Sequence, residues 1–449
     1  MHRLAYPLFT TIMLMLTSCA ITWRTPAEQG IRNVTAIAES FGDGEKVSTV
    51  IVEYSVELDA SSVTPECFSV VGRKVVSANT NSRAEKTEES RSGRFVVLGL
   101  AYENKWEAAG VNLFAGPRHD AERDGGAKQK EGNGPRFEDD GKSVDLSVTV
   151  IQTADIRTAD GTVLPASNRR HASTAAMELV IQDFQKRYFT DAETGIILPY
   201  FVFLPAGYDA SRKYPMVFFI PDASADTSIE TATLTQGNGA TIWATPEEQA
   251  KHPAIVVAVQ YPYSVVKEYG AMTLDDHAWT KGLTAVDNLL HHLIESLAVD
   301  KDRVYGTGQS QGCMANIAIS DRHPGLFAAQ YLVAGQWDVA EMAAMKDKKL
   351  WIVVCEGDLK AYPAMCQAMK LWQSLGVKAV KGDDFWNPKA SAEEMAANVQ
   401  AMLAVDADIR MNVFAGGSHM YTWSLAYNIV DIRDWLFSQC LGRTVQPAQ

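Results

Sequence analysis

The feature that most constrains the fold is a serine flanked by glycines at the end of a short apolar run. The run Arg303 to Thr307 leads directly into GQSQG at 308–312, and a helical stretch, Cys313 to Ser320, follows. A nucleophile on such a strand-to-helix turn has strained backbone angles, and glycine on either side removes Cβ atoms that would clash. The pattern predicts that Ser310 stands at a helix N-terminus, where N–H groups face a developing negative charge.

A serine hydroxyl needs a general base and a carboxylate that orients this base, and both are predicted downstream. The apolar run Leu350 to Cys355 is followed by Glu356, Gly357 and Asp358, and a later run is followed by His419. We assign Asp358 as the orienting carboxylate and His419 as the general base and acid. Glu356 remains an alternative acid, although it precedes the glycine that marks the turn. The order Ser, Asp, His is the one that the α/β-hydrolase arrangement requires.

Stabilising an oxyanion requires two backbone N–H groups. The first is expected from Gln311, and the second from the loop after the apolar run 214–220, where Asp222, Ala223 and Ser224 are the candidates. Three tryptophans fall on predicted loops and either line a substrate pocket or serve packing. They are Trp337, Trp386 and Trp423.

The other potential nucleophiles and histidines near these motifs are expected to have structural roles. Cys313 is expected to face into helix packing, and Ser418 to shape the loop before His419. His323 follows the helix after the nucleophile and is expected to be a surface or capping residue. His291 lies on a predicted helix and is expected to be solvated or structural.

Two patterns of hydrophobicity divide the chain. Between residues 30 and 165, apolar and polar residues alternate with a period of two in Val47 to Leu58 and in Val144 to Val150, which predicts a small antiparallel β-sandwich. From 175 to 442, short apolar runs alternate with helical stretches, which is typical of a doubly wound, mostly parallel α/β sheet. A hairpin from Arg187 to Leu204 is expected to precede it. The long, strongly charged stretch 118–143 is expected to be a solvated loop.

The N-terminus has the layout of a secretory signal. Residues 1–19 begin with Arg3, continue through the apolar stretch 8–16 and end in Leu-Thr-Ser-Cys, which resembles a bacterial lipobox. We expect lipidation at Cys19, with ordinary secretion as the alternative. This lipid would be the only contact with a membrane, since no other apolar run is long enough to cross a bilayer. The six cysteines are too scattered for a disulfide framework or a CxxC metal site.

Several segments together resemble a group of bacterial α/β-hydrolase esterases that carry an N-terminal immunoglobulin-like domain and are related to polyhydroxybutyrate depolymerases and feruloyl esterases. The segments are 52–58, 64–70, 199–208, 213–215, 306–313 and 333–338. The resemblance implies an immunoglobulin-like domain over 30–165 and a carboxylesterase whose triad is Ser310, Asp358 and His419. The chain departs from the group at Pro221 and Asp222, where many members have His-Gly.

These observations predict an extracytoplasmic serine carboxylesterase that acts on a small-molecule or polymer-attached ester and needs no metal or organic cofactor. A peptidase of the prolyl-oligopeptidase type and a weakly active surface binding protein remain alternatives. The net charge of −13 argues against a nucleic-acid partner, which would require a basic face. The sequence does not predict the oligomeric state.

Overall fold

The computed structural model describes residues 30–105 and 142–444. The predicted signal and Cys19 lie outside these residues, as does most of the charged stretch 118–143. Within them the chain forms an all-β unit followed by a large α/β unit. None of the helices in this part of the chain is long and apolar enough to span a bilayer.

The all-β unit contains a five-stranded and a three-stranded sheet around one hydrophobic core. The larger sheet has the order β10-β1-β2-β5-β4, and the smaller one has the order β3-β6-β9. The strands are β1 (Ile31–Phe41), β2 (Gly44–Leu58), β3 (Phe68–Val70), β4 (Val75–Asn81), β5 (Gly93–Leu100), β6 (Thr149–Gln152), β7 (Ile156–Arg157), β8 (Val163–Leu164), β9 (His171–Ala172) and β10 (Ala175–Glu178).

Two details differ from the sequence expectations. The sandwich is not wholly antiparallel, because β10 runs parallel to β1. These strands are joined through the whole intervening domain and not by a hairpin, so both can run in one direction. The alternation from Val144 to Val150 predicted a longer strand than β6. Val144 is 48% exposed, so the first part of this segment lies outside the sheet and only its end pairs with β3.

The α/β unit is built on a nine-stranded sheet of order β11-β12-β14-β13-β15-β16-β17-β19-β18. The predicted hairpin forms its antiparallel edge, and all pairs from β14 to β18 are parallel. The strands are β11 (Gln185–Thr190), β12 (Ile197–Phe203), β13 (Tyr214–Ile220), β14 (Ile255–Val259), β15 (Val299–Gln309), β16 (Ala329–Val333), β17 (Leu350–Cys355), β18 (Ala379–Lys381) and β19 (Ile409–Phe414). A further short pair at the C-terminus is β20 (Gln439–Cys440) and β21 (Arg443–Thr444).

Helices cover both faces of this sheet, which is why its central strands are apolar without alternation. One hydrophobic cluster lies on each face, and residues of successive positions along β13 enter opposite clusters. The helices are α1 (Ala232–Thr235), α2 (Pro246–Lys251), α3 (Tyr263–Tyr269), α4 (Lys281–Ser296), α5 (Gln311–Arg322), α6 (Ala361–Ser374), α7 (Ala392–Leu403), α8 (His419–Ala426) and α9 (Val430–Phe437). The predicted mostly parallel, doubly wound fold is confirmed.

Candidate active site

Ser310 occupies a strained turn between β15 and α5. Its backbone angles are φ 50° and ψ −117°, in a region that residues with a side chain rarely adopt. A Cβ atom on Gly308 would lie 2.5 Å from the carbonyl oxygen of Ile220, and one on Gly312 would lie 1.9 Å from the same oxygen. Both glycines are therefore required by the close approach of β13, and the turn holds the serine hydroxyl above the carboxyl ends of the strands.

The structure brings Ser310, His419 and Asp358 into one chain of hydrogen bonds. Nε2 of His419 lies 2.8 Å from Oγ of Ser310, and Nδ1 of His419 lies 2.6 Å from Oδ2 of Asp358. The three residues follow β15, β17 and β19. These strands run parallel, so the three side chains lie together at the carboxyl edge of the sheet. His419 can therefore accept the serine proton at one nitrogen while Asp358 fixes its other nitrogen.

Asp358 is held as a charged acceptor inside the protein, where it is 2% exposed. Its second oxygen, Oδ1, accepts hydrogen bonds from the backbone N–H groups of Lys360 (3.1 Å) and Ala361 (3.0 Å). Burial acts to raise the pKa of Asp358, but the hydrogen bond and the charge of His419, together with these two N–H groups, outweigh it. The pKa of Asp358 therefore lies below its ordinary value.

The competing residues are engaged elsewhere. Oε2 of Glu356 accepts a hydrogen bond from the N–H of Gly416 at 2.9 Å, so this carboxylate fixes the loop that leads to His419. Oγ of Ser418 accepts from the N–H of Tyr421 and caps helix α8. Cys313 is fully buried behind the turn, and burial raises the pKa of its thiol. None of these groups takes the place of the three hydrogen-bonded residues.

The loop after β13 narrows the choice of oxyanion donors. Oδ1 of Asp222 accepts the N–H of Ser224 at 2.7 Å, so this N–H group is already engaged. Ala223 lines the cleft in front of Ser310 together with Gln311, whereas Asp222 does not. The N–H groups of Ala223 and Gln311 are therefore the donors best placed to meet a charge that develops beside Ser310.

Two glutamines of the turn anchor this loop. Nε2 of Gln309 donates to Oδ2 of Asp222 at 3.0 Å, and Nε2 of Gln311 donates to Oδ2 of Asp226 at 3.1 Å. Burial raises the pKa of Asp226 well above its ordinary value, and the nearby Asp222 charge adds to this, although the Gln311 bond opposes it. This role of the glutamines was missed from the sequence, where their place on either side of Ser310 was the available signal.

A cleft of about 510 Å³ opens in front of Ser310. Its wall includes a polar rim that the sequence reading also missed, in which Nζ of Lys360 donates to Oδ1 of Asp275 at 2.6 Å. Lys360 follows the orienting aspartate, and Asp275 belongs to the segment between α3 and α4. The lining residues are Ala223, Thr273, Leu274, Asp275, Ser310, Gln311, Met314, Gln336, Lys360 and His419.

The structure places the three candidate pocket tryptophans outside this cleft, and the expectation that they line it is corrected. Trp337 is buried and donates from Nε1 to Oε2 of Glu341. Trp386 packs edge-on against Phe414. Trp423 lies on α8, where its ring packs edge-on against His419 at 5.5 Å between centroids. All three rings pack in the hydrophobic clusters of the domain. Such packing buries more of a large aromatic surface than an open cleft would.

Groups with the composition of metal ligands lie away from the cleft. Two sets in the described residues bring three ligand atoms together, namely Asp287 with His291 and His323, and Glu248 with His252 and Asp434. Neither set includes a residue that lines the Ser310 cleft.

Comparisons with known proteins agree with this architecture. Residues 33–165 match the family model of the esterase Ig-like N-terminal domain. A crystal structure of a thermostable esterase matches with a TM-score of 0.68 and 24% identity, covering 91% of this chain and 100% of that one. The feruloyl esterase module from Clostridium thermocellum, complexed with sinapinate as a mutant, matches with a TM-score of 0.35 and 12% identity over 56% of this chain and 88% of that one. No curated protein matches the sequence significantly.

The N-terminal match covers strands β1 to β8 of the all-β unit, and the match to the thermostable esterase covers most of the chain. The expected architecture is therefore confirmed: the chain is an α/β-hydrolase-fold protein preceded by an immunoglobulin-like domain of the esterase type.

Proposed function

We propose that the protein is a serine carboxylesterase in which Ser310 is the nucleophile. The observation that carries this proposal is the continuous hydrogen-bonded chain from Oγ of Ser310 through His419 to Asp358. This chain is attached to a strained turn and opens into a cleft with two backbone donors, which is the set of groups that acyl transfer requires.

In the first half of the reaction, Oγ of Ser310 attacks the ester carbonyl carbon while Nε2 of His419 takes the hydroxyl proton. The negative charge moves to the carbonyl oxygen, where the N–H groups of Gln311 and Ala223 stabilise it. The carbon–oxygen bond to the alcohol then breaks, and His419 returns the proton to the leaving alkoxide. Asp358 stabilises the imidazolium that exists between these two transfers.

In the second half, water replaces the alcohol. His419 takes a proton from the water as it attacks the acyl carbon, and the same two N–H groups stabilise the second oxyanion. Collapse releases the acid and returns the proton to Oγ of Ser310. Across the two halves, His419 accepts a proton from Ser310 and then from water, and it returns one to the leaving alcohol and one to Ser310.

The cleft favours esters with short acyl chains. Apolar surface comes from Ala223, Leu274 and Met314, but the ion pair of Lys360 and Asp275 interrupts it at the rim. A long alkyl chain would have to pass this charged pair without a continuous apolar surface to cover it. We therefore expect p-nitrophenyl acetate and butyrate to be hydrolysed with a higher kcat/KM than p-nitrophenyl laurate.

The test compares the wild type with Ser310→Ala on a p-nitrophenyl series from acetate to laurate, with feruloyl esters, acetylated glycans and a peptide substrate in parallel. We expect the variant to lose on the order of 10⁶-fold in kcat on the best ester. Trp337→Phe is the matched control, because Trp337 lies outside the cleft. Ester hydrolysis retained by Ser310→Ala would disprove the nucleophile, and peptide cleavage without ester hydrolysis would favour a peptidase.

We further propose that the mature protein is an extracytoplasmic lipoprotein. The proposal is supported by the apolar segment that ends in Leu-Thr-Ser-Cys at residues 16–19. Mass spectrometry of the protein from a bacterial host that processes lipoproteins tests it. We expect a chain that begins with diacylated Cys19, and an unmodified N-terminus downstream of this cysteine would contradict the proposal.

A further inference from the structure

We propose that Asp287, His291 and His323 form a binding site for a divalent cation of the zinc class. The site lies apart from the Ser310 cleft, and the proposal goes beyond esterase function without depending on it. Two imidazole nitrogens and one carboxylate oxygen are a ligand set that suits Zn²⁺, Co²⁺ or Ni²⁺, whereas Ca²⁺ and Mg²⁺ prefer oxygen ligands throughout.

Two helices bring these residues together. Asp287 and His291 lie one turn apart on α4, and His323 is the C-cap residue of α5. Oδ2 of Asp287 lies 2.9 Å from Nε2 of His323, and Oδ1 of Asp287 lies 3.2 Å from Nδ1 of His291. The ligand atoms of all three residues lie within 4.8 Å of one another.

These separations suit tetrahedral coordination. Bonds of about 2.0 to 2.1 Å from Zn²⁺ to nitrogen and oxygen place neighbouring ligand atoms about 3.3 Å apart in a tetrahedron. The separations of 2.9 and 3.2 Å fall short of this by a few tenths of an ångström, and they involve different oxygens of Asp287, so the carboxylate must turn to present one oxygen to the cation. Small side-chain rotations therefore suffice to admit a cation, and the fourth position remains for water. Binding at Nδ1 of His291 displaces the proton that now bonds the carbonyl oxygen of Asp287.

A second observation points to a ligand at this site. Asp287 is only 7% exposed, yet among the described residues the buried Oδ1 atom has a single close partner, Nδ1 of His291 at 3.2 Å, and no well-aligned hydrogen bond. This nitrogen lies closer to the backbone carbonyl oxygen of Asp287, at 2.9 Å, so its contact with Oδ1 is the weaker of the two. A buried carboxylate oxygen without a well-formed hydrogen bond is costly, and a bound cation would remove that cost.

The charges around the site also favour a cation. His323 ends α5, where the last carbonyl groups carry a partial negative charge. The adjacent Arg322 does not pair with Asp287, because its guanidinium stacks on the ring of Trp279, with Cζ 3.3 Å from the ring centroid. Both ion pairs of Asp287 in the described residues are with histidines, so no lysine or arginine neutralises this carboxylate there.

The second histidine–carboxylate set serves as an internal comparison. Glu248 already pairs with Arg433, whose Nε lies 2.8 Å from Oε2, and Asp434 lies 3.5 Å from Nζ of Lys251. His252 stacks on Phe437 with 4.5 Å between ring centroids. The positively charged side chains of Arg433 and Lys251 already pair with these carboxylates, so this second set is not expected to bind zinc tightly.

A cation at the proposed site would join α4 to the end of α5. Because Ser310 precedes the first residue of α5 and His323 follows the last, the site lies about 20 Å from the nucleophile along the helix axis. The cation would therefore stabilise the framework of the catalytic domain and take no part in the chemistry.

The test uses full-length protein purified without a histidine tag, stripped with EDTA and dialysed. Isothermal titration with ZnCl₂ should show one saturable site with a Kd in the micromolar range or below. Zinc at about 100 times the Kd should raise the Tm by about 5 °C, whereas Mg²⁺ and Ca²⁺ should leave it unchanged. Absence of saturable zinc binding below about 1 mM would overturn the proposal.

Variants identify the site. His323→Gln keeps a hydrogen-bonding group toward Asp287 but removes a strong zinc ligand, and we expect zinc affinity to fall by about 100-fold. His252→Gln is the matched control, and its zinc affinity should equal that of the wild type. If His323→Gln does not fold, the half-exposed His291→Gln replaces it. Unchanged affinity in the folded variant, or loss of affinity in His252→Gln alone, would overturn the assignment.

Discussion

Two buried aspartates of the catalytic domain each hold a histidine, at opposite ends of helix α5. Asp358 binds His419 at the end where Ser310 begins the helix, and Asp287 binds His323 at the end where the helix stops. Asp358 has both oxygens satisfied, one of them by two backbone N–H groups. Asp287 keeps one oxygen without a hydrogen bond.

The difference shows how the same pair of side chains acquires different chemistry. His419 and two backbone N–H groups together keep the buried Asp358 carboxylate charged, so it can orient an imidazole that changes its protonation state. In the part of the chain that the structure describes, Asp287 receives no hydrogen bond from a backbone N–H group, and its Oδ1 atom has only the 3.2 Å contact with Nδ1 of His291, so a lone pair is available to a ligand. A third aspartate, Asp321, completes the comparison, because within residues 30–105 and 142–444 neither of its oxygens has a hydrogen-bond partner and no histidine pairs with it.

The largest effect is expected at Asp358. Asp358→Asn keeps the shape of the side chain but removes the charge that stabilises the imidazolium, so kcat should fall by roughly 10⁴-fold with little change in KM. Steady-state kinetics on a short p-nitrophenyl ester measures this loss. A variant that kept more than a tenth of the wild-type kcat would contradict the role of Asp358 as the residue that orients His419.

Glu356→Gln is the matched control for Asp358→Asn, because Glu356 lies two residues away and, among the described residues, its side chain bonds only the loop N–H of Gly416. A glutamine oxygen can accept the same hydrogen bond. We expect kcat to fall by less than about tenfold, since this change weakens one loop contact and leaves the Asp358 charge beside His419 in place. A larger loss in Glu356→Gln than in Asp358→Asn would exchange the roles of the two acids.

A smaller effect, on stability, is expected at Asp321. Burial, with the charges of Glu341 and Asp338, raises the pKa of Asp321 from 3.8 to about 8. Between these values the unfolded chain gives up this proton more readily than the folded chain, so stability falls as pH rises from about 4 to about 8. Asn at this position cannot ionise and removes that loss.

Thermal unfolding of Asp321→Asn and of the wild type at several pH values checks this prediction. The Tm of the variant should exceed that of the wild type by several degrees at pH 8, and the difference should shrink toward pH 4.5. Asp338→Asn is the control, because it removes one charge that raises the pKa of Asp321 while Asp321 can still ionise, and Asn can still accept the N–H groups of Ala340 and Glu341. A Tm difference that does not change with pH would show that Asp321 is already satisfied in the folded protein.

Much of the fold follows from local pattern, because buried parallel strands are apolar on both faces and therefore visible in sequence. The bounds of β17 and β19 agree with the apolar runs at 350–355 and 409–414. The short edge strand β18 has no such run and was missed. The predicted residues Ser310, Asp358 and His419 come together because parallel strands end at the same edge of the sheet.

Features that depend on packing could not be predicted in this way. The positions of Trp337, Trp386 and Trp423 depend on which loop folds back onto the domain, and local sequence carries little of that information. The contact of Asp287 with His323 joins residues on two different helices and requires a particular contact between them. The ties from Gln309 and Gln311 to the loop after β13 likewise form only once β13 and β15 are neighbours.

The burial of the thiols around Ser310 has a consequence for the protein's durability. Cys313 lies directly behind the turn, and Cys355 ends the strand that carries Asp358; both are fully buried. Burial raises the pKa of Cys355 to about 12, with the nearby Asp358 charge adding to the effect, and burial also raises the pKa of Cys313. Because thiolates are the species that peroxide and disulfides attack, these sulfurs are shielded from oxidative damage, and the site can persist in an oxidising environment.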